Sequence, residues 1–98
     1  MGNIIFSESA TGMGVWNLDI TDPTSGSTLN FSNAAPAPQS MILPIGSHQL
    51  VVQGAAPAGM GGSLALTVSG PIGAATSTTH TFPSGTIPPH FINLFVTA

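Results

Sequence analysis

Lysine and arginine are both absent from this chain of 98 residues, whose only acidic side chains are Glu8, Asp19 and Asp22 and whose histidines are His48, His80 and His90. An ordinary domain is about a quarter charged; here the charged fraction is 3%. With no strong cation there is no phosphate clamp, no basic groove and no cationic anchor for an anionic membrane. Affinity for nucleic acid comes mainly from neutralising phosphates with Lys and Arg, so a nucleic-acid partner is not expected.

Cysteine is absent as well, so no disulfide holds the fold in any compartment. Long apolar runs are missing: the longest, Met41 to Ile45, falls far short of the roughly 20 residues that span a bilayer, and membrane insertion is not expected. The opening Met1-Gly2-Asn3-Ile4-Ile5-Phe6-Ser7 lacks a basic segment followed by a long apolar one, so no signal peptide is expected in the chain as given. Phe6 stands where the myristoylation pattern wants Ser or Thr. Either the protein works where it is made, or this is a mature form with an added Met.

What the chain does have is 42% hydrophobic residues, 12 glycines and 9 prolines. That apolar content, with so little charge, argues against disorder. The length predicts one domain over residues 1–98, burying roughly 60–70% of the surface its unfolded form exposes. Short blocks of Val, Ile, Leu and Phe between Gly, Pro, Ser and Thr predict many strands and turns.

The strands can be placed by period-two alternation. Ile4 to Phe6 is a first short strand, and Ser9 to Gly14 a turn. Trp16, Leu18 and Ile20 share one face of a strand over Val15 to Asp22. Asp22-Pro23-Thr24-Ser25-Gly26 is a tight turn into Thr28 to Ser32, which completes a hairpin. Asn33 to Gln39, with two prolines, is an extended crossover between sheets. Gln39 to Leu43 is a strand, Gly46-Ser47 a turn and His48 to Gln53 a strand with Leu50 and Val52 on one face. Gly54 to Gly62 is a small-residue loop. Ser63 to Ser69 carries Leu64, Leu66 and Val68 inward. Pro71 to Thr76 is a loop, Ser77 to Phe82 a solvent-facing strand and Pro83 to Pro89 a turn region. His90 to Thr97 closes the chain with Phe91 and Phe95 on one face and Ile92, Leu94 and Val96 on the other, which predicts a central or covered strand. The expected fold is all-β: a single β-sandwich or jelly-roll domain of about seven or eight short antiparallel strands with no significant helix. The phrases Leu43 to Gly54 and Gly62 to Pro71 resemble strand-turn-strand phrases of bacterial and phage β-sandwich modules and point to no one family.

Chemistry-bearing patterns are few. His80 and His90 are ten residues apart with His48 well upstream, and this spacing does not prescribe the close ligand cluster zinc takes. Both His80 and His90 read as exposed, and no metal or cofactor is expected. Asp19 reads as a strand-face carboxylate and Asp22 as a turn initiator, without the alternating acids of a calcium loop. No Gly-x-Ser-x-Gly elbow occurs, and neither a catalytic residue nor an enzyme is expected. Asn30-Phe31-Ser32 is a glycosylation sequon, relevant only in a eukaryotic secretory setting.

Two functional expectations follow. An uncharged surface of small residues can pack closely against another without stripping ions of water. This predicts a structural subunit whose partners are copies of itself or a coat or capsid scaffold. It would act as a virion decoration or tail component, or in an extracellular filament or surface coat, and so be localised to a virion or a cell surface. Ile4, Ile5 and Phe6 and the terminal Phe91 and Phe95 are the candidate assembly strands, able to pair with a neighbour's sheet. The alternative is a lectin-like module binding a glycan through Trp16, Asn17, Asp19 and His48: a stacked aromatic with hydrogen-bonding groups beside it. Because Trp16 shares its face with Leu18 and Ile20, a core tryptophan is the competing reading.

Overall fold

The computed structural model describes residues 2–35, 37–73 and 79–98. Among them are eight strands and no helix: β1 (Gly2–Thr11), β2 (Asn17–Thr21), β3 (Thr28–Ser32), β4 (Gln39–Leu43), β5 (Gly46–Ala56), β6 (Ser63–Ser69), β7 (Thr79–Pro83) and β8 (Gly85–Val96). They form a β-sandwich of two four-stranded antiparallel sheets, ordered β4-β1-β6-β7 and β3-β2-β5-β8. Only β2–β3 and β6–β7 are hairpins; every other connection crosses between sheets. The crossover expected from Asn33 to Gln39 is one of these.

Alternation decides which side chains face inward. Ile4 and Phe6 of β1, Leu18 and Ile20 of β2, Leu50 and Val52 of β5, Leu64, Leu66 and Val68 of β6 and Ile92, Leu94 and Val96 of β8 meet between the sheets. Phe31, Met41, Leu43, Phe82 and Ile87 complete one contiguous core. Trp16 joins it at 6% exposure. Its backbone N–H donates to Asn33 Oδ1 at 2.7 Å, tying the loop before β2 to the turn after β3.

The strands run longer than the local pattern implies where sheet neighbours extend them. β1 continues through Ser9 to Thr11 because β6 pairs with it to Ser63. Gly46 and Ser47 pair with Val96 and Phe95 and so begin β5 rather than form a turn. The expected turn at Pro83 to Pro89 is only Ser84, and β8 starts at Gly85. Pro88 and Pro89 fit because a bulge lies there: Val52 pairs with His90 and Gly54 with Ile87, so these two residues lie opposite Gln53 alone. A bulge is one of the few places a strand tolerates residues without an N–H. The expected strand from Ser77 begins at Thr79; its first two residues, and Ala74 to Thr76 of the expected loop, lie outside the described residues.

Gly54 is the residue that makes the bulge possible. It has φ +146°, and a Cβ there would collide with the carbonyl oxygen of Asn17 on β2. Gly26 also has positive φ, +78°, but open space around it. We therefore expect Gly54→Ala to destabilise the fold by more than about 2 kcal/mol, and Gly26→Ala by about 1 kcal/mol, the cost of a left-handed alanine alone. Urea denaturation of the two variants checks this; equal losses would contradict it.

Candidate functional site

Three polar or exposed apolar features stand out against the core, and each follows from strand parity. The first lies at the end of the sandwich where the β2–β3 turn meets the β4–β5 link. Asp22 continues the inward face of Trp16, Leu18 and Ile20, and His48 that of Leu50 and Val52. Both are buried, Asp22 fully and His48 to within 7%. His48 Nδ1 lies 3.1 Å from Asp22 Oδ2 and Nε2 2.8 Å from the Pro44 carbonyl oxygen. A carbonyl only accepts, so Nε2 carries hydrogen.

Asp22 is satisfied on every side. Ser25 Oγ donates to Oδ2 at 2.8 Å and the Thr24 N–H to Oδ1 at 3.3 Å. Its own N–H donates to the Ser27 carbonyl, and its carbonyl accepts from Gly26 N–H. Serine, aspartate and histidine are thus together, but not in the order a nucleophile needs. The base of a catalytic triad accepts the serine proton while the carboxylate holds its far nitrogen. Here Ser25 donates to the carboxylate, and both imidazole nitrogens are engaged elsewhere. The arrangement acts as a strut between a hairpin turn and a crossover.

The second feature lies along the lateral side where β7 lies over β8. His80 is on the inward face of β7 with Phe82, and His90 on the inward face of β8 with Ile92. Both are half-buried rather than exposed. His90 Nε2 lies 3.3 Å from His80 Nδ1. The rings meet edge-on at 5.3 Å, and Phe82 stacks edge-on against His90 at 5.2 Å. In the same inward row of the first sheet, Glu8 pairs with Leu66, which pairs with His80. Glu8 Oε2 is buried without a hydrogen-bond partner among the described residues. Desolvation pushes its carboxyl above the ordinary value of 4.5, against a smaller opposing effect of a backbone hydrogen bond.

The third feature is apolar and outward. Phe91 and Phe95 on β8 are 55% and 50% exposed, and Ile5 and Ile42 on the opposite sheet 43% and 62%. β8 lies at the edge of its sheet rather than at its centre, and Phe91 and Phe95 on its second apolar face are about half-exposed. β1, by contrast, is paired on both sides at Ile5 and Phe6, by β4 at Ile4, and by β6 from Ser7 to Thr11. The free edge of β8 carries Pro88 and Pro89. Near its end it is occupied by residues 71–73, through Gly73 N–H to the Phe95 carbonyl and Thr97 N–H to the Pro71 carbonyl.

The four residues of the glycan reading do not line one surface. Trp16 and His48 face inward and are buried, while Asn17 is exposed and Asp19 half-exposed on the outer face. One surface feature escapes the sequence reading: Met13, Val15 and Met60 are exposed at one end, on loops joined by Gly59 N–H to the Met13 carbonyl. The signal was the repeated tripeptide Gly-Met-Gly at 12–14 and 59–61. Comparison with known protein families, with curated proteins and with solved structures finds no match.

Two predictions come from the polar groups. Removing one partner of a buried pair leaves the other uncompensated, at a cost of about 3–5 kcal/mol. We expect His48→Ala and Asp22→Ala each to lose that much in urea unfolding, and the double variant to lose much less than their sum; additive losses would show that the pair is not coupled. For Glu8 the folded-state pKa lies above the unfolded one. The stability it contributes is therefore fully present below the unfolded value and lost as pH rises through the folded one. Glu8→Gln is expected to melt higher than the parent at neutral pH, with the gap closing as pH falls below 4.5; a gap that widens on acidification would reverse the assignment.

Proposed function

We propose that the protein is a structural subunit that packs face to face with copies of itself. The observation that carries this reading is the pair Phe91 and Phe95, half-exposed on the outer face of an edge strand with Val51 directly across from Phe91. Isolated exposed apolar residues are ordinary, but two exposed aromatics on the same face of one strand, here flanking Asn93, are a feature of contact surfaces. The opposite sheet offers a different apolar pair, Ile5 and Ile42. Its outer face is otherwise rich in hydroxyls, with Ser7, Thr67 and Thr79 in one row and Ser9, Ala65 and Thr81 in the next.

Two unlike patches on opposite faces favour a heterologous contact, in which one copy's Phe face meets the next copy's Ile face. Such contacts grow into rings or open filaments rather than closed dimers. No lysine or arginine needs to be desolvated on either side. Face packing is favoured over strand addition through Ile5 and Phe6 or β8, because β4 and β6 pair with Ile5 and Phe6 from both sides and the free edge of β8 is interrupted by prolines. The setting such a subunit serves is a repeating layer: a virion decoration or tail component, a filament or a surface coat.

Light scattering and sedimentation test this. The parent is expected to grow in mass with concentration, and Phe91→Ser/Phe95→Ser or Ile5→Ser/Ile42→Ser to stay monomeric. A mixture of the two double variants retains one good face on each and should stop at dimers. Assembly should change little between about 0.05 and about 1 M salt, because few contacts are ionic. A parent that stays monomeric at high concentration, or an assembly that collapses with salt, would sink the reading.

A further inference from the structure

We propose that His80 and His90 form a two-imidazole site for a divalent transition-metal ion, zinc in the first instance, clamping β7 of one sheet to β8 of the other. His80 Nδ1 and His90 Nε2 are 3.3 Å apart, just beyond the roughly 2.7–3.2 Å that ordinary N–H···O hydrogen bonds span. Zinc–imidazole bonds are about 2.0–2.1 Å, so two corners of a tetrahedral zinc site lie about 3.3–3.4 Å apart. The two nitrogens already stand at that separation before any ion is present.

The surroundings favour a held geometry. Phe82 lies edge-on to the His90 ring at an interplanar angle of 82°, restricting its rotation. The two histidines come from strands joined by Ser84 alone, so their relative position is set by the backbone on both sides. Among the described residues no third His, Cys, Asp or Glu completes a cluster. The ion would thus keep positions open to water, as accessible zinc, copper and nickel sites do. Glu8 is too far along the row to be a ligand. It does place on the same inner face a carboxyl oxygen without a hydrogen-bond partner among the described residues, in a chain that has no lysine or arginine. A bound dication brings positive charge to that layer. No bond is made or broken beyond coordination, and both facing nitrogens must be unprotonated, so binding weakens in acid.

The test uses the full chain and zinc chloride alone. Equilibrium dialysis should find one zinc per chain, and the melting temperature should rise with zinc concentration, as ligand linkage requires. Nitrogen-15 spectra of the parent should show the His80 and His90 ring nitrogens shifting with zinc while those of His48 do not. His90→Gln should weaken binding by more than about tenfold, the loss expected when a metal site is damaged. Because the spectra need no variant, a substitution that fails to fold does not obstruct the test. Absence of zinc binding at millimolar concentration, shifts at His48 instead, or binding unchanged in His90→Gln would each overturn the proposal.

Discussion

A carboxylate and an imidazole held 3.1 Å apart inside an apolar layer cannot be parted without leaving a buried polar group unpaired. Breaking such a pair costs several kcal/mol, a large fraction of a domain's whole stability. In this molecule the pair also fixes geometry. Asp22 is the first residue of the β2–β3 turn and His48 lies just inside β5. The second imidazole nitrogen reaches back to Pro44, in the link from β4. One imidazole thereby ties the turn of one sheet to the strand leaving the other. The pairing of β2 with β5 runs without a shift from this end, and the bulge at Val52/Gly54 falls in the pairing of β5 with β8.

The same parity that builds the core explains why polar groups are inside it. A strand has no freedom to choose the side on which a given residue falls: shift by one and every neighbour inverts. Once Trp16, Leu18 and Ile20 are inward, Asp22 follows them, and once Leu50 and Val52 are inward, so does His48. The chain meets this constraint by placing the two polar residues at inward positions on neighbouring segments, close enough for their side chains to meet. His80 and His90 meet the same constraint on the lateral side. Glu8, behind Ile4 and Phe6 on β1, meets it less well, and its orphaned oxygen and raised pKa are the physical trace.

Much of this was legible in the sequence, and the illegible part has a common cause. The strands Thr28–Ser32, Gln39–Leu43 and Ser63–Ser69 appear with the bounds expected, because alternation and flanking turn residues agree there. The all-β sandwich follows from the same signals. What local pattern could not show was pairing. Gly46, Ser47 and residues 85–89 carry turn chemistry yet lie in strands, because the neighbouring strand supplies hydrogen bonds that outweigh local preference. The Asp22–His48 pair was half-visible: each residue's inward parity could be counted, but that the two meet depends on β2 lying beside β5, a non-local fact. The 3.3 Å approach of His80 and His90 depends on how two sheets stack, which no spacing along the chain reveals.

The absence of lysine and arginine bears on both the inside and the outside. In a chain with those residues, a buried carboxylate is commonly paired with a long basic side chain reaching in from the surface. Here imidazole is the only side chain that can become a cation, and imidazole is short. It reaches a partner only where two strands already bring their backbones together. The polar contacts within the sandwich are therefore set by backbone position and lie at its end and its side. The outer faces carry hydroxyls, amides and a few apolar side chains, with no flexible cationic rim to hold another surface at a distance. On the self-packing proposed above, a copy approaching the Phe91–Phe95 face would meet apolar and amide side chains and no charged ones. Selectivity of that contact then rests on fit between faces rather than on complementary charge, which is the condition under which a subunit adds to its own kind in one orientation and stays indifferent to salt.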